Sequence, residues 1–131
     1  MSIEIGQIGR AETIVTVLNT AKALGSGLVE VFATPAMVAL MEEAAVHALN
    51  LGPEESSVGT ALEIRHLAAT PLGLKVWAVA EVIEIDRRRL VFKVEAYDEK
   101  EKIGEGRHER FIIDSAKFLE KVNAKREEQG A

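Results

Sequence analysis

The stretch Thr34-Pro35-Ala36-Met37-Val38-Ala39-Leu40-Met41-Glu42-Glu43-Ala44-Ala45-Val46-His47-Ala48-Leu49-Asn50-Leu51 decides how this chain folds. Pro35 suits a first helical position, where its missing N–H costs nothing. Thr34, just before it, is able to accept a hydrogen bond from an early backbone N–H as N-cap. The spacing predicts one helix to about Leu51, stopped by Gly52-Pro53. Its residues are apolar nearly all round, and only Glu42, Glu43 and His47 are ionisable. A helix of that kind is covered on most sides rather than laid on a surface.

Beyond Glu54-Glu55-Ser56-Ser57 the period changes from helical to alternating. Residues 58–66 read as a strand, and Pro71-Leu72-Gly73 as a turn. Residues 74–85 place Val76, Ala78, Ala80 and Val82 on one face. Residues 90–97 do the same with Leu90, Phe92, Val94 and Ala96, after a turn at Asp86-Arg87-Arg88. Residues 98–102 form a polar turn, 103–113 a last long strand, and Ser115 caps a charged C-terminal helix with a solvated tail. Ahead of the central helix, residues 12–17 read as a strand and 18–24 as a short helical turn. Gly25-Ser26-Gly27 breaks the chain, and 28–32 read as a short strand. The class is α+β: an antiparallel sheet with one apolar face, wrapped on the helix that needs covering.

The chain has 131 residues, enough for one domain with a core of its own. With no cysteine there is no disulfide, no thiolate nucleophile and no thiolate metal site. The net charge of −5 and the mixing of signs argue against nucleic acid as a partner. The N-terminus lacks the basic start and apolar run of a signal peptide, and no stretch has the roughly 18 apolar residues of a membrane span. Cytoplasmic residence without membrane attachment is therefore expected.

Three residues stand out for chemistry. Glu42 lies two turns into an apolar helix, where a desolvated carboxylate costs several kcal/mol unless paired or protonated. It and Glu43 differ by about 100° around the helix, so one is able to face inward while the other meets solvent. His66 ends a strand beside the apolar run Leu67-Ala68-Ala69, although a lone histidine is more often structural; His47 and His108 weigh less. Thr34 has a complete structural explanation as a cap. No Gly-x-Ser-x-Gly elbow, phosphate loop or helical His-x-x-x-His pair is present, and no metal site is expected.

Several blocks recur together in a known order: Gly25-Ser26-Gly27; Phe32-Ala33-Thr34-Pro35 with Leu40-Met41-Glu42; Val58-Gly59-Thr60; His66-Leu67-Ala68-Ala69-Thr70-Pro71-Leu72-Gly73; Arg88-Arg89-Leu90-Val91-Phe92; and Gly106-Arg107-His108-Glu109-Arg110. On these, residues 25–113 resemble the fluoroacetyl-CoA thioesterase-like family of the hot-dog superfamily. The resemblance implies a hot-dog fold and hydrolysis of an acyl-CoA thioester, with coenzyme A as part of the substrate and no other cofactor. It also implies a catalytic set of Thr34, Glu42 and His66. Gly59 would lie near the acyl group, with Thr60 next to it on the substrate side. The coenzyme A tail carries phosphates, so Arg65, Arg107 and Arg110 are candidate anchors for the substrate, although any single one is more often just an exposed strand charge. The founding fluoroacetyl-CoA enzyme carries a phenylalanine-bearing lid before the helix. Here that segment, Leu24-Gly25-Ser26-Gly27-Leu28-Val29-Glu30, has no aromatic ring, so the resemblance does not extend to fluorine selection.

In the implied mechanism Glu42 attacks the thioester or activates water, His66 moves the proton, and Thr34 orients one of them. Thr34 and Glu42 lie eight residues apart, about 12 Å along one helix. A site that uses both is easier to build across a twofold axis, so a homodimer, with a tetramer as a further step, is expected. Two rivals stand beside this reading: a hot-dog hydratase or dehydratase, and a domain that binds acyl-CoA without turnover.

Overall fold

The computed structural model describes residues 3–130, with the side chains of 128–130 left aside. In chain order the elements are β1 (Ile8–Ile14), α1 (Ala21–Leu24), α2 (Thr34–His47), β2 (Glu55–His66), β3 (Lys75–Asp86), β4 (Arg89–Asp98), β5 (Lys102–Asp114) and α3 (Ser115–Gly130). The strands form one antiparallel sheet in the order β1-β3-β4-β5-β2, so β1 and β2 are its edges. Among the described residues no helix is long and apolar enough to cross a membrane.

The expected alternation is what builds the core. Val76, Ala78, Ala80 and Val82 of β3, and Leu90, Phe92, Val94 and Ala96 of β4, are all completely buried. They face Met37, Leu40, Met41, Ala44 and Ala45 of α2, which are buried in turn. This is the hot-dog arrangement, an antiparallel sheet wrapped around a long central helix. Small side chains let the two layers approach closely. At Gly9 of β1 an added Cβ would run into the backbone of Ala44 and Ala48 of α2.

The boundaries differ from expectation where distant partners decide them. β1 covers Ile8–Ile14 rather than residues 12–17. Residues 28–32 do not form a strand; Val31 and Phe32 make only isolated bridges, to Pro71 and Thr20. The Ala21 and Lys22 N–H groups donate to the Val31 and Val29 carbonyls, which folds this segment back on α1. Thr20 caps α1 through its hydroxyl, and Gly25 closes it at φ 71°, a left-handed conformation that glycine adopts without penalty.

The N-cap of α2 is Ala33, with no side-chain cap bond, and Thr34 is the first helical residue. The helix ends at His47, short of Leu51, and the Gln7 side chain donates to the carbonyl of its C-cap residue Ala48 at 2.8 Å. At α3 the Lys117 N–H is received by the Asp114 carboxylate at 3.1 Å, which replaces the expected Ser115 cap. The helix continues to Gly130, and the end of the expected tail, Ala131, lies outside the described residues.

Gly9→Ala should lower stability by about 1–3 kcal/mol, the usual cost of overfilling a packed contact. Urea unfolding would show this as a lower midpoint at unchanged slope. A wild-type midpoint would mean that α2 is free to move off β1.

Candidate active site

Two polar sets lie along α2. The first is at its N-terminal end. Because Thr34 is helical rather than the cap, its hydroxyl is free to turn outward, and Oγ1 lies 2.7 Å from His66 Nδ1 at the end of β2. The other ring nitrogen, Nε2, is buried and meets no geometric hydrogen-bond partner among the described residues. Both residues line a shallow depression with Ala21, Val31, Phe32 and Leu67. Burial holds the His66 ring below the ordinary histidine range, partly opposed by the backbone of Ala68. With no side-chain cap at Ala33, the N–H groups of the first turn of α2 are not claimed by a side chain there.

The second set is centred on Glu42. Helical periodicity turns its neighbour Met41 into the core and leaves Glu42 half-buried at the rim, while Glu43 is exposed. Arg110 of β5 is buried, and its Nη1 donates to Glu42 Oε2 at 3.3 Å. The same guanidinium donates through Nε to Ser57 Oγ at 2.8 Å and through Nη2 to the Ser57 carbonyl at 2.9 Å. Burial pushes the guanidinium down from its usual value and Glu42 pulls it back up, yet an arginine stays charged in either case.

Gly59 faces Arg110 across the β2–β5 pairing, immediately before a bulge at Thr60. A Cβ on Gly59 would lie 2.7 Å from Glu42 Oε2, so only glycine leaves the carboxylate its place.

The sequence-derived residues therefore fall into separate groups. Thr34 and His66 meet. Glu42, Gly59 and Arg110 meet. Thr60 turns away and bonds Glu109 in an outer network that also holds Arg89. Arg65 is exposed beside Glu63, Glu105 and Arg107. Arg110, expected beside the substrate as a possible phosphate anchor, is found inside the fold as the ionic partner of Glu42.

His108 carries more than its sequence suggested: it is buried, and its Nε2 lies 3.1 Å from Arg110 Nη1. The signal was present, since His108 and Arg110 alternate with the core residue Ile112 and so share its inward face. Among the described residues, no group of three or more His, Asp or Glu side chains is placed to hold a metal ion.

His66, which is half-buried, and His108, which is buried, should both titrate by NMR below the ordinary value of about 6.5. For His66 and His108 alike, burial is the first cause of the lowering. A group held neutral in this way contributes stability that is complete above its unfolded value and is lost as pH falls through the folded value. Stability should therefore drop in a window opening near pH 6.5 and extending below it. A midpoint at or above 6.5 for either ring would contradict its burial.

Known proteins carry the same architecture. A family model described as fluoroacetyl-CoA-specific thioesterase matches residues 15–116. The fluoroacetyl-CoA thioesterase of Streptantibioticus cattleyicolor is 49% identical over 98 residues, which cover 73% of this chain and 70% of that protein. A solved structure of a fluoroacetyl-CoA thioesterase superposes with a TM-score of 0.89 at 39% identity, covering 95% of this chain and 98% of that one. A thioesterase superfamily member from Thermus thermophilus reaches a TM-score of 0.89 at 34% identity, covering 98% and 97%. Matched across most of its length in both sequence and fold, the chain belongs to the fluoroacetyl-CoA-specific thioesterase family.

Proposed function

We propose that this protein hydrolyses an acyl-CoA thioester to the free acid and coenzyme A, with Glu42, His66 and Thr34 as its working residues. The observation that carries the reading is the pairing of Thr34 with His66: their hydrogen bond of 2.7 Å sits at the N-terminal end of α2, and both residues line the same depression. One mutant of a fluoroacetyl-CoA thioesterase relative has been crystallised with fluoroacetate and coenzyme A, and a different mutant of it with acetyl-CoA.

In this mechanism the Glu42 carboxylate takes a proton from the water that attacks the thioester carbon, or attacks that carbon itself to give a mixed anhydride that water then hydrolyses. The C–S bond breaks, and the proton released by the water reaches the departing sulfur through His66. Thr34 fixes the orientation of the imidazole. First-turn N–H groups of α2 are suited to the developing oxyanion, since helix N-termini favour negative charge. Arg65, exposed one residue before His66, is free to meet a coenzyme A phosphate, whereas Arg110 is committed to Glu42. No ring in residues 24–30 is present to select a fluorinated acyl group.

Two copies complete the site. Thr34 and Glu42 stand about 12 Å apart along α2. β2 presents a 12-residue edge that pairs only with β5. An open edge of that length invites pairing with another chain. Twofold pairing through β2 would bring the Thr34–His66 pair of one protomer toward Glu42 of the other.

Glu42→Gln should lower kcat for thiol release from acetyl-CoA at least about 100-fold, as removal of a general base or nucleophile does. Glu43→Gln, at an exposed position, should change nothing. Retention of more than about a tenth of wild-type kcat in Glu42→Gln would remove Glu42 from the chemistry. Binding of acetyl-CoA without turnover by the wild type would turn the protein into a binding domain.

The shared site has its own test. Glu42→Gln and His66→Ala should each be inactive alone. Co-expressed, they should recover about a quarter of wild-type activity, because half the dimers are mixed and each mixed dimer has one intact site. No recovery, in a mixture shown to contain mixed dimers, would place all three residues within one protomer.

A further inference from the structure

His108 lies outside the catalytic set, yet its surroundings fix its chemical state. Its Nδ1 is 2.9 Å from the Ala61 carbonyl, which only accepts, so Nδ1 carries the proton. Its Nε2 is 3.1 Å from Arg110 Nη1, which only donates, so Nε2 presents a lone pair. The ring is thereby the neutral Nδ1–H tautomer. Its 3.9 Å approach to Glu42 Oε2 is a contact between a lone pair and a carboxylate, not an ion pair. Side-chain exposure is only 2%, and the ring packs against Phe92 with centroids 6.1 Å apart, so it has no room to turn.

Arg110 uses four of its five N–H groups on fixed partners: two on Ser57, one on Glu42 and one on His108. The two Nη1 protons are divided between Glu42 and His108. Ser57 holds the Nε and Nη2 edge, and His108 decides where Nη1 points. From this geometry we propose that His108 is a positioning residue, aiming Nη1 of Arg110 at the Glu42 carboxylate and so holding that carboxylate beside Gly59. The inference rests on the reading that Glu42 performs the chemistry. It assigns His108 no contact with substrate.

Three substitutions separate aiming from mere filling. Gln places an oxygen near the position of Nε2, so His108→Gln keeps an acceptor for Arg110. His108→Asn retains a polar group within reach of the Ala61 carbonyl but has no atom at the Nε2 position. His108→Leu fills the space without either bond. On acetyl-CoA, His108→Gln should stay within about threefold of wild-type kcat. The Asn and Leu variants should each lose about 10- to 100-fold in kcat with KM little changed, the penalty expected of a catalytic group displaced by about 1 Å.

In an Arg110→Lys background, His108→Asn should add no further loss, since its effect passes through the guanidinium. If Leu fails to fold, the contrast between Gln and Asn decides alone. Wild-type kcat in a folded His108→Asn, equal losses in Gln and Asn, or additive losses with Arg110→Lys would each overturn the inference. Glu42→Gln, assayed alongside, separates the two failures. If it is inactive while His108→Asn is fully active, only the role of His108 falls. If Glu42→Gln is itself active, the site and the inference fall together.

Discussion

The whole structure depends on burying α2 under the curved sheet. A helix whose residues are apolar on nearly every side is not stable in water, and the sheet is not stable without something to cover its inner face. Each supplies what the other lacks. The contact is close because small residues line it: Gly9 and Ala11 of β1, Ala78 and Ala80 of β3, and Ala44 and Ala45 of α2. Once Met37 and Met41 are fixed inside, the helical repeat carries Glu42 to the rim. The carboxylate is thus placed by core packing before any polar contact refines its position.

The polar contacts then hold it there. Burying a guanidinium is expensive unless its donors are met, and Arg110 meets four of them. The bulge at Thr60 and the missing side chain at Gly59 make room on β2 for the carboxylate. Bulges are common beside functional sites because they change where neighbouring side chains point. Thr60 itself is turned outward to Glu109, which explains why it does not join the carboxylate. The second set obeys a different logic. Thr34 and His66 lie at the mouth of an open depression, and their hydrogen bond joins an α2 terminus to the end of an edge strand. The two sets belong to one helix but face different neighbours, which is why the proposed chemistry draws on a second copy.

The sequence by itself determined the helix, the inward faces of β3 and β4, and hence the class of fold. Those features rest on local periodicity, which composition and spacing display directly. The recurring blocks around Thr34, Glu42 and His66 also marked the family, because such residues keep their order along the chain. Only the tertiary structure decided what each polar group touches. Thr34 read as a cap because its partner His66 lies 32 residues away. Arg110 read as an exposed strand charge or a phosphate anchor because Glu42 lies 68 residues away, and His108 seemed ordinary because its state is set by Ala61 and Arg110 together. The alternation of His108, Arg110 and Ile112 gave the facing of these side chains, but not their partners. Periodicity fixes which side of an element a residue occupies. Hydrogen bonding is decided by the few ångströms that separate elements, and those distances exist only after the chain has closed on itself.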